Sequence, residues 1–124
     1  MKYKVQIAKP AEFDIFEIHQ YISDEYKNPE AADRRTELIY ERMKSLDENP
    51  ARFALVRDEY LASKGVRLMV VKTQNVFYII RENPNIVFII RVLHYRRDCV
   101  NILRTQIDSL LKEIGDELSD FTTE

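Results

Sequence analysis

Residues 65–98, GVRLMVVKTQNVFYIIRENPNIVFIIRVLHYRRD, constrain the fold more than any other part of the chain. They hold three apolar runs of strand length, 66–72, 76–81 and 86–93. These are rich in Val, Ile, Phe and Tyr, which suit a pleated, half-buried surface. The polar breaks between them, 73–75 and 82–85, are short. Such breaks join neighbouring antiparallel strands, because a parallel crossover needs about a dozen residues or more. The stretch reads as a three-stranded meander, with the basic cluster His94-Tyr95-Arg96-Arg97 where its last strand ends.

Around the meander, apolar spacing marks one more strand and three helices. Residues 2–8 alternate, with Tyr3, Val5 and Ile7 on one face, and read as a half-buried strand. Pro10 then opens a helix over about 10–26, where its missing N–H costs nothing. Ile15, Ile18, Ile22 and Tyr26 form the apolar stripe, widened by Phe13, Phe16 and Tyr21. Glu12 and Asp14 lie near the positive end of the helix. His19 falls off the stripe and reads as a solvated surface histidine. Asn28-Pro29 pairs a cap with proline at the first helical position. The seam Ala32, Thr36, Ile39, Met43 and Leu46 carries this second helix to about residue 48, where Asn49-Pro50 stops it. Arg34 and Arg35 fall largely off the seam. The short link makes the two helices an antiparallel hairpin.

Residues 51–64 show no clean period and read as a connection pinned by Phe53, Leu55, Tyr60 and Leu61. A third amphipathic helix over 99–118 carries Leu103, Ile107, Leu110, Ile114 and Leu118. The order predicts an α+β fold, β-α-α-β-β-β-α: an N-terminal strand, an antiparallel α-hairpin packed on an antiparallel β-meander, and a C-terminal helix.

At 124 residues the chain is long enough for one domain with a real core. With 45% apolar and 32% charged residues it has the make-up of an ordinary globular protein. The single cysteine, Cys99, excludes an internal disulfide and fits a reducing compartment. It has no His or Cys at metal spacing, so neither a metal nor a cofactor is expected. No long apolar run and no leader pattern is present, so a cytoplasmic protein without membrane attachment is expected.

The net charge of −2 hides an asymmetry: residues 1–63 sum to −3, 64–104 to +6 and 105–124 to −5. Either the basic sheet side meets something anionic, or the three segments neutralise one another within the fold.

Five features in this order resemble the RelE/ParE superfamily of bacterial toxins, nearer its ParE branch. They are NPEAA at 28–32, NP at 49–50, LVRDEYLASKGVR at 55–67, NVFYII at 75–80 and RVLHYRRD at 91–98. The resemblance spans residues 3–104 and implies a toxin-like domain over 1–104 with an acidic helical extension over 105–124. It implies the toxin of a type II toxin–antitoxin module, a growth inhibitor wrapped and silenced by a cognate antitoxin. RelE-like members cut mRNA on the ribosome, whereas ParE-like members keep the fold and poison DNA gyrase.

Metal-free RNA cleavage needs a base, an acid and cations to hold the phosphorane charge. On the RelE-like alternative, the catalytic candidates are His94, Tyr95 and Arg67. Two positions beyond Arg67, Met69 stands where a second cation is expected, and Asn75 and Asn101 replace the next-strand Arg and the C-terminal Tyr. These departures favour ParE-like binding over cleavage. For contacts with a target or antitoxin the candidates are Arg81, Arg91, Arg96 and Arg97; for Arg81 and Arg91 internal pairing is equally open, because a charge in an apolar strand must be paired or near an edge. Arg96, Arg97 and Asp98 can alternatively form an ion-pair knot. The C-terminal helix is expected to pack across the basic sheet or to support a homodimer.

Overall fold

The computed structural model describes the backbone of residues 2–122 and the side chains of residues 2–116. Leu118, expected on the apolar stripe of the last helix, lies outside the described side chains.

The elements follow in the order β1 (Lys4–Ile7), α1 (Lys9–Glu25), α2 (Pro29–Lys44), α3 (Glu59–Ser63), β2 (Arg67–Val71), β3 (Gln74–Arg81), β4 (Ile86–His94) and α4 (Cys99–Thr122). The Asn28 side chain accepts a hydrogen bond from the Ala31 N–H, so α2 starts where the Asn-Pro signal places it. It ends earlier than its seam implies. Lys44 is its last residue, and a 3₁₀ turn at Ser45–Asp47 carries Leu46 into the core.

The connection before the meander is more ordered than its lack of period implies. It contains a 3₁₀ turn at Pro50–Arg52 and the one-turn α3, whose cap Asp58 accepts from the Leu61 N–H. Of its four expected pins, Leu61 is buried and Phe53 half-buried, while Leu55 and Tyr60 stay exposed.

The sheet order is β1-β4-β3-β2. β2, β3 and β4 form the antiparallel meander, and β1 adds to β4 in parallel. The first turn is tighter than the polar break implies. Val71 pairs with Gln74, leaving Lys72 and Thr73 as the loop, with Lys72 at a positive φ of 56°. Gln74 and Asn75 therefore belong to β3.

Between Phe77 and Tyr78 the register with β4 slips, so that Arg91 faces Phe77, Ile89 faces Tyr78, and Ile90 is the extra residue. Such a bulge bends the strand and re-aims its side chains.

Both faces of the sheet are covered. On one, Met69, Val71, Val76, Tyr78, Ile89 and Val92 pack against Ala11, Ile15, Ile39 and Met43 of the hairpin. On the other, Phe77, Ile79, Phe88, Ile90 and Leu93 pack against Leu61 and against Leu103, Ile107, Leu110 and Ile114 of α4. The helix thus lies across the second face, and Ile107–Ile114 share one core with Leu103.

Part of the charge asymmetry is resolved across these layers. Arg91 pairs with Asp14 at 2.7 Å, Arg104 with Asp58 at 2.8 Å, and Lys64 with Asp108 at 3.7 Å. Each of these pairs joins the basic middle segment to one of its acidic flanks.

Candidate functional site

The turn that leaves β4 and the α-hairpin enclose a groove of about 720 Å³. One wall is apolar and aromatic, made by Ile18, Tyr21 and Ile22 of α1 with Tyr26 beyond its end. Tyr21 and Tyr26 stand edge to face, centroids 6.4 Å apart at 84°. The other wall is cationic, with Arg35 from α2 and Arg96 and Arg97 from the turn, beside His94 at the end of β4.

Local hydrogen bonds hold the cationic wall. Gln74 is 4% exposed at the first position of β3. Its Oε1 accepts from Arg35 Nη1 at 3.0 Å and from Thr73 Oγ1 at 3.2 Å, and Arg35 also donates to Thr73 Oγ1 at 3.1 Å. The Tyr95 N–H donates to the Thr73 carbonyl at 2.9 Å, which pins the turn beside the β2–β3 loop. The Arg96 N–H donates to His94 Nδ1 at 3.1 Å, so the proton of the neutral imidazole resides on Nε2. The His94 and Tyr95 rings stack at 4.8 Å, and Arg96 Nε donates to the Tyr95 hydroxyl at 2.9 Å.

The alternative of an ion-pair knot among Arg96, Arg97 and Asp98 is not what the structure shows. Asp98 instead accepts from the Asn101 side chain at the start of α4. Among the described residues, Arg35, Arg96 and Arg97 have no carboxylate partner. Two carboxylates line the groove, Glu17 and Asp14, and Asp14 is committed elsewhere. Three guanidiniums around one cleft leave it electropositive and suited to an anionic group.

Asp14 is the residue that fixes the edge of this site. β1 covers β4 only from Ile86 to Ile89, which leaves the next stretch of edge without a strand partner. There the Asp14 carboxylate, 5% exposed, accepts from the Val92 N–H at 2.9 Å and from Arg91 Nε and Nη2 at 2.7 and 2.8 Å. Arg91 Nη1 also donates to Gln106 Oε1 of α4. The Asp14 hydrogen bonds hold the Arg91 guanidinium above its ordinary pKa.

The predicted site residues do not gather in one place. Arg91 is 8% exposed and committed to Asp14, so it is withdrawn from the binding set. Arg67 donates to the carbonyls of Phe53 at 2.7 Å and Ala51 at 3.3 Å, in a separate hollow with Tyr3, Asn49 and Glu82. Its strand position faces Tyr78, whereas His94 faces Gln74. Four positions along β3 separate them by roughly 13 Å, so Arg67 is not in reach of His94 and Tyr95. Arg81 pairs with Ile86 at the far end of β3 and donates to the Ile80 carbonyl, remote from Arg96 and Arg97. Of the predicted residues, His94, Tyr95, Arg96 and Arg97 remain together, at the turn that leaves β4.

Sequence reasoning missed Arg35, Gln74 and the role of Asp14. Arg35 lies three positions after Ala32 and four before Ile39, so seam spacing could have turned it inward. Asp14 precedes Ile15 on the buried face, and a carboxylate there demands a cation. His19 is not merely solvated; its Nε2 lies 2.7 Å from Asp33 across the hairpin. Cys99 is half-buried, with its Sγ donating to the His94 carbonyl, and burial pushes its thiol up.

Among the described residues no group of ligating side chains could hold a metal ion, and no helix is long and apolar enough to cross a membrane. The sequence profile of the "ParE toxin of type II toxin-antitoxin system, parDE" matches residues 5–99. No curated protein matches the chain. Among solved structures, the chain resembles one from the chromosomal ParDE toxin–antitoxin system of P. aeruginosa, at 19% identity and a TM-score of 0.60 over 75% of this chain and 96% of that one. It also resembles a chain of the RelBE2 toxin–antitoxin complex from Mycobacterium tuberculosis, at 23% identity and a TM-score of 0.58 over 76% and 92%. At these identities the two structures speak for the fold.

Proposed function

Because this chain belongs to the ParE toxin family of type II toxin–antitoxin systems, we propose that it inhibits growth by binding a protein target, DNA gyrase, and that a cognate antitoxin silences it. The antitoxin follows from the company that its structural neighbours keep, a ParDE system and a RelBE2 complex. Binding rather than RNA cleavage is supported by one observation above others: Arg67 is spent on backbone carbonyls, roughly 13 Å along the sheet from the His94–Tyr95 pair. Phosphoryl-transfer chemistry requires its groups within hydrogen-bond reach of one phosphate. In this reading Arg35, Arg96 and Arg97 contact acidic groups of target or antitoxin, because their charges are not answered within the described fold. The protein works in the cytoplasm, where gyrase acts.

One observation favours the alternative, ribosome-dependent mRNA cleavage. His94, Tyr95 and Arg96 are tied to one another, with His94 facing the same groove as Arg35 and Arg97. Two assays in parallel decide. With gyrase and supercoiled plasmid, the purified protein should trap cleaved DNA. With translating ribosomes, mRNA should remain whole. Cut mRNA beside an unaffected plasmid would reverse the assignment. Arg97→Glu should weaken trapping while leaving thermal stability unchanged. Co-expression of the protein encoded in the adjacent reading frame should restore growth; if it does not, that frame is not the antitoxin.

A further inference from the structure

The fold leaves two phenylalanines on α1 in water. Phe13 is 61% exposed and Phe16 57% exposed, with ring centroids 6.5 Å apart and planes inclined by 30°. α1 buries Ala11, Asp14 and Ile15 against the sheet and lends Ile18, Tyr21 and Ile22 to the arginine-lined groove. The pair belongs to neither face. Helix formation does not call for it, since Glu, Gln and Lys are better helix formers than Phe. Adjacent rings on a rigid helix offer much apolar area with little side-chain freedom to lose, which is the make-up of an interface anchor.

The charges around the pair say what it fits. Glu12 immediately before Phe13 and Glu17 immediately after Phe16 are both exposed. Lys9 is the only Lys or Arg in α1. A two-fold contact between copies would bring these acid-flanked rings against one another, like charge to like. The complementary surface is an apolar cleft edged by Lys and Arg.

We propose that Phe13 and Phe16 are the anchor by which this protein seats on its target, a protein presenting a basic-edged apolar cleft; the two rings lie outside the arginine-lined groove, which their neighbour Glu17 joins. The proposal rests on the toxin reading above.

The test expresses wild type, Phe13→Ser/Phe16→Ser and Glu12→Lys from an inducible promoter in bacteria, and measures binding of each purified protein to gyrase holoenzyme. Growth arrest should be lost in the phenylalanine variant, with affinity falling about 100-fold or more, as for paired hot spots. Its thermal midpoint should stay within about 2 °C of wild type, since neither ring is packed in the core. The charge reversal at Glu12, which lies outside the groove, should weaken binding about 3-fold, mainly through a slower on-rate, and so decides the case even if the serine variant misfolds. Wild-type toxicity and affinity in both variants would overturn the proposal. So would a wild-type dimer that the serine variant splits, because the rings would then be a self-contact. A harmless wild type would fail the toxin reading itself and the anchor with it. A wild type that arrests growth without binding gyrase would fail only the choice of target, leaving the growth arm to judge the anchor.

Discussion

Replacing Asp14 with Ala tests the central physical claim about this fold, that one carboxylate closes the open edge of β4. The substitution removes two hydrogen bonds to the Arg91 guanidinium, at 2.7 and 2.8 Å, and one to the Val92 N–H at 2.9 Å. What remains is a cation 8% exposed, with Gln106 as its only other side-chain partner among the described residues. Breaking a buried pair from one side costs about 3–5 kcal/mol, mostly the desolvation of the charge left behind. The orphaned N–H brings a further 1–3 kcal/mol if water cannot reach it, though roughly half of that overlaps with the first term. A total of about 3.5–6.5 kcal/mol is a large part of the ~5–15 kcal/mol that holds such a domain together. At ~4 °C per kcal/mol for a chain of this size, the thermal midpoint should fall by about 14–26 °C.

Urea unfolding followed by circular dichroism gives the free energy directly. The double variant Asp14→Leu/Arg91→Met removes both charges and should recover to within about 2 kcal/mol of wild type, since an apolar pair of similar volume avoids desolvation. The double-mutant cycle should then show coupling above about 2 kcal/mol. A loss under about 1 kcal/mol for Asp14→Ala, or additive single effects, would refute the argument.

Three further predictions are independent of that pair. The Asp58 carboxyl is held below its ordinary 3.8 by the Arg104 side chain first and the Leu61 N–H second. A lowered folded pKa stabilises above the unfolded value, and that stability is lost as pH falls through the folded one. Asp58→Asn should therefore flatten the drop in thermal midpoint below about pH 4; an unchanged slope would count against the pairing. Asn28→Ala removes the α2 cap and should cost ~1 kcal/mol in urea unfolding, while Asn28→Ser should recover most of it; equal losses would mean that the cap bond contributes nothing. Truncation after residue 104 removes Ile107, Leu110 and Ile114 from the face they share with Phe77, Ile79 and Phe88. The shortened chain should self-associate on gel filtration, and a well-behaved monomer would show that this face needs no cover.

The local devices of this fold can be read from residues near one another in the chain. The two-residue period of 2–8, the Asn28-Pro29 cap and the four-three spacing of α2 and α4 each carry their own structural instruction. The run 86–93, apolar except for Arg91, reads as half-buried by composition, yet the structure buries it on both faces, and its lack of alternation is the trace of that in the sequence. What no local pattern encodes is which surfaces meet. Asp14 and Arg91 stand 77 positions apart, and Arg35 and Gln74 stand 39 apart. Asp14 reads equally well as a helix-dipole charge, and Arg35 as a solvated one. Only the parallel addition of β1, which stops at Ile89 and leaves the β4 edge open beside α1, gives Asp14 its work. Only the β3–β4 register and the two-residue loop place Gln74 below Arg35 while carrying Arg67 and Arg81 away from Arg97. Periodicity is a property of neighbours along the chain, whereas a binding surface depends on strand order and register, which the packing of both sheet faces selects together.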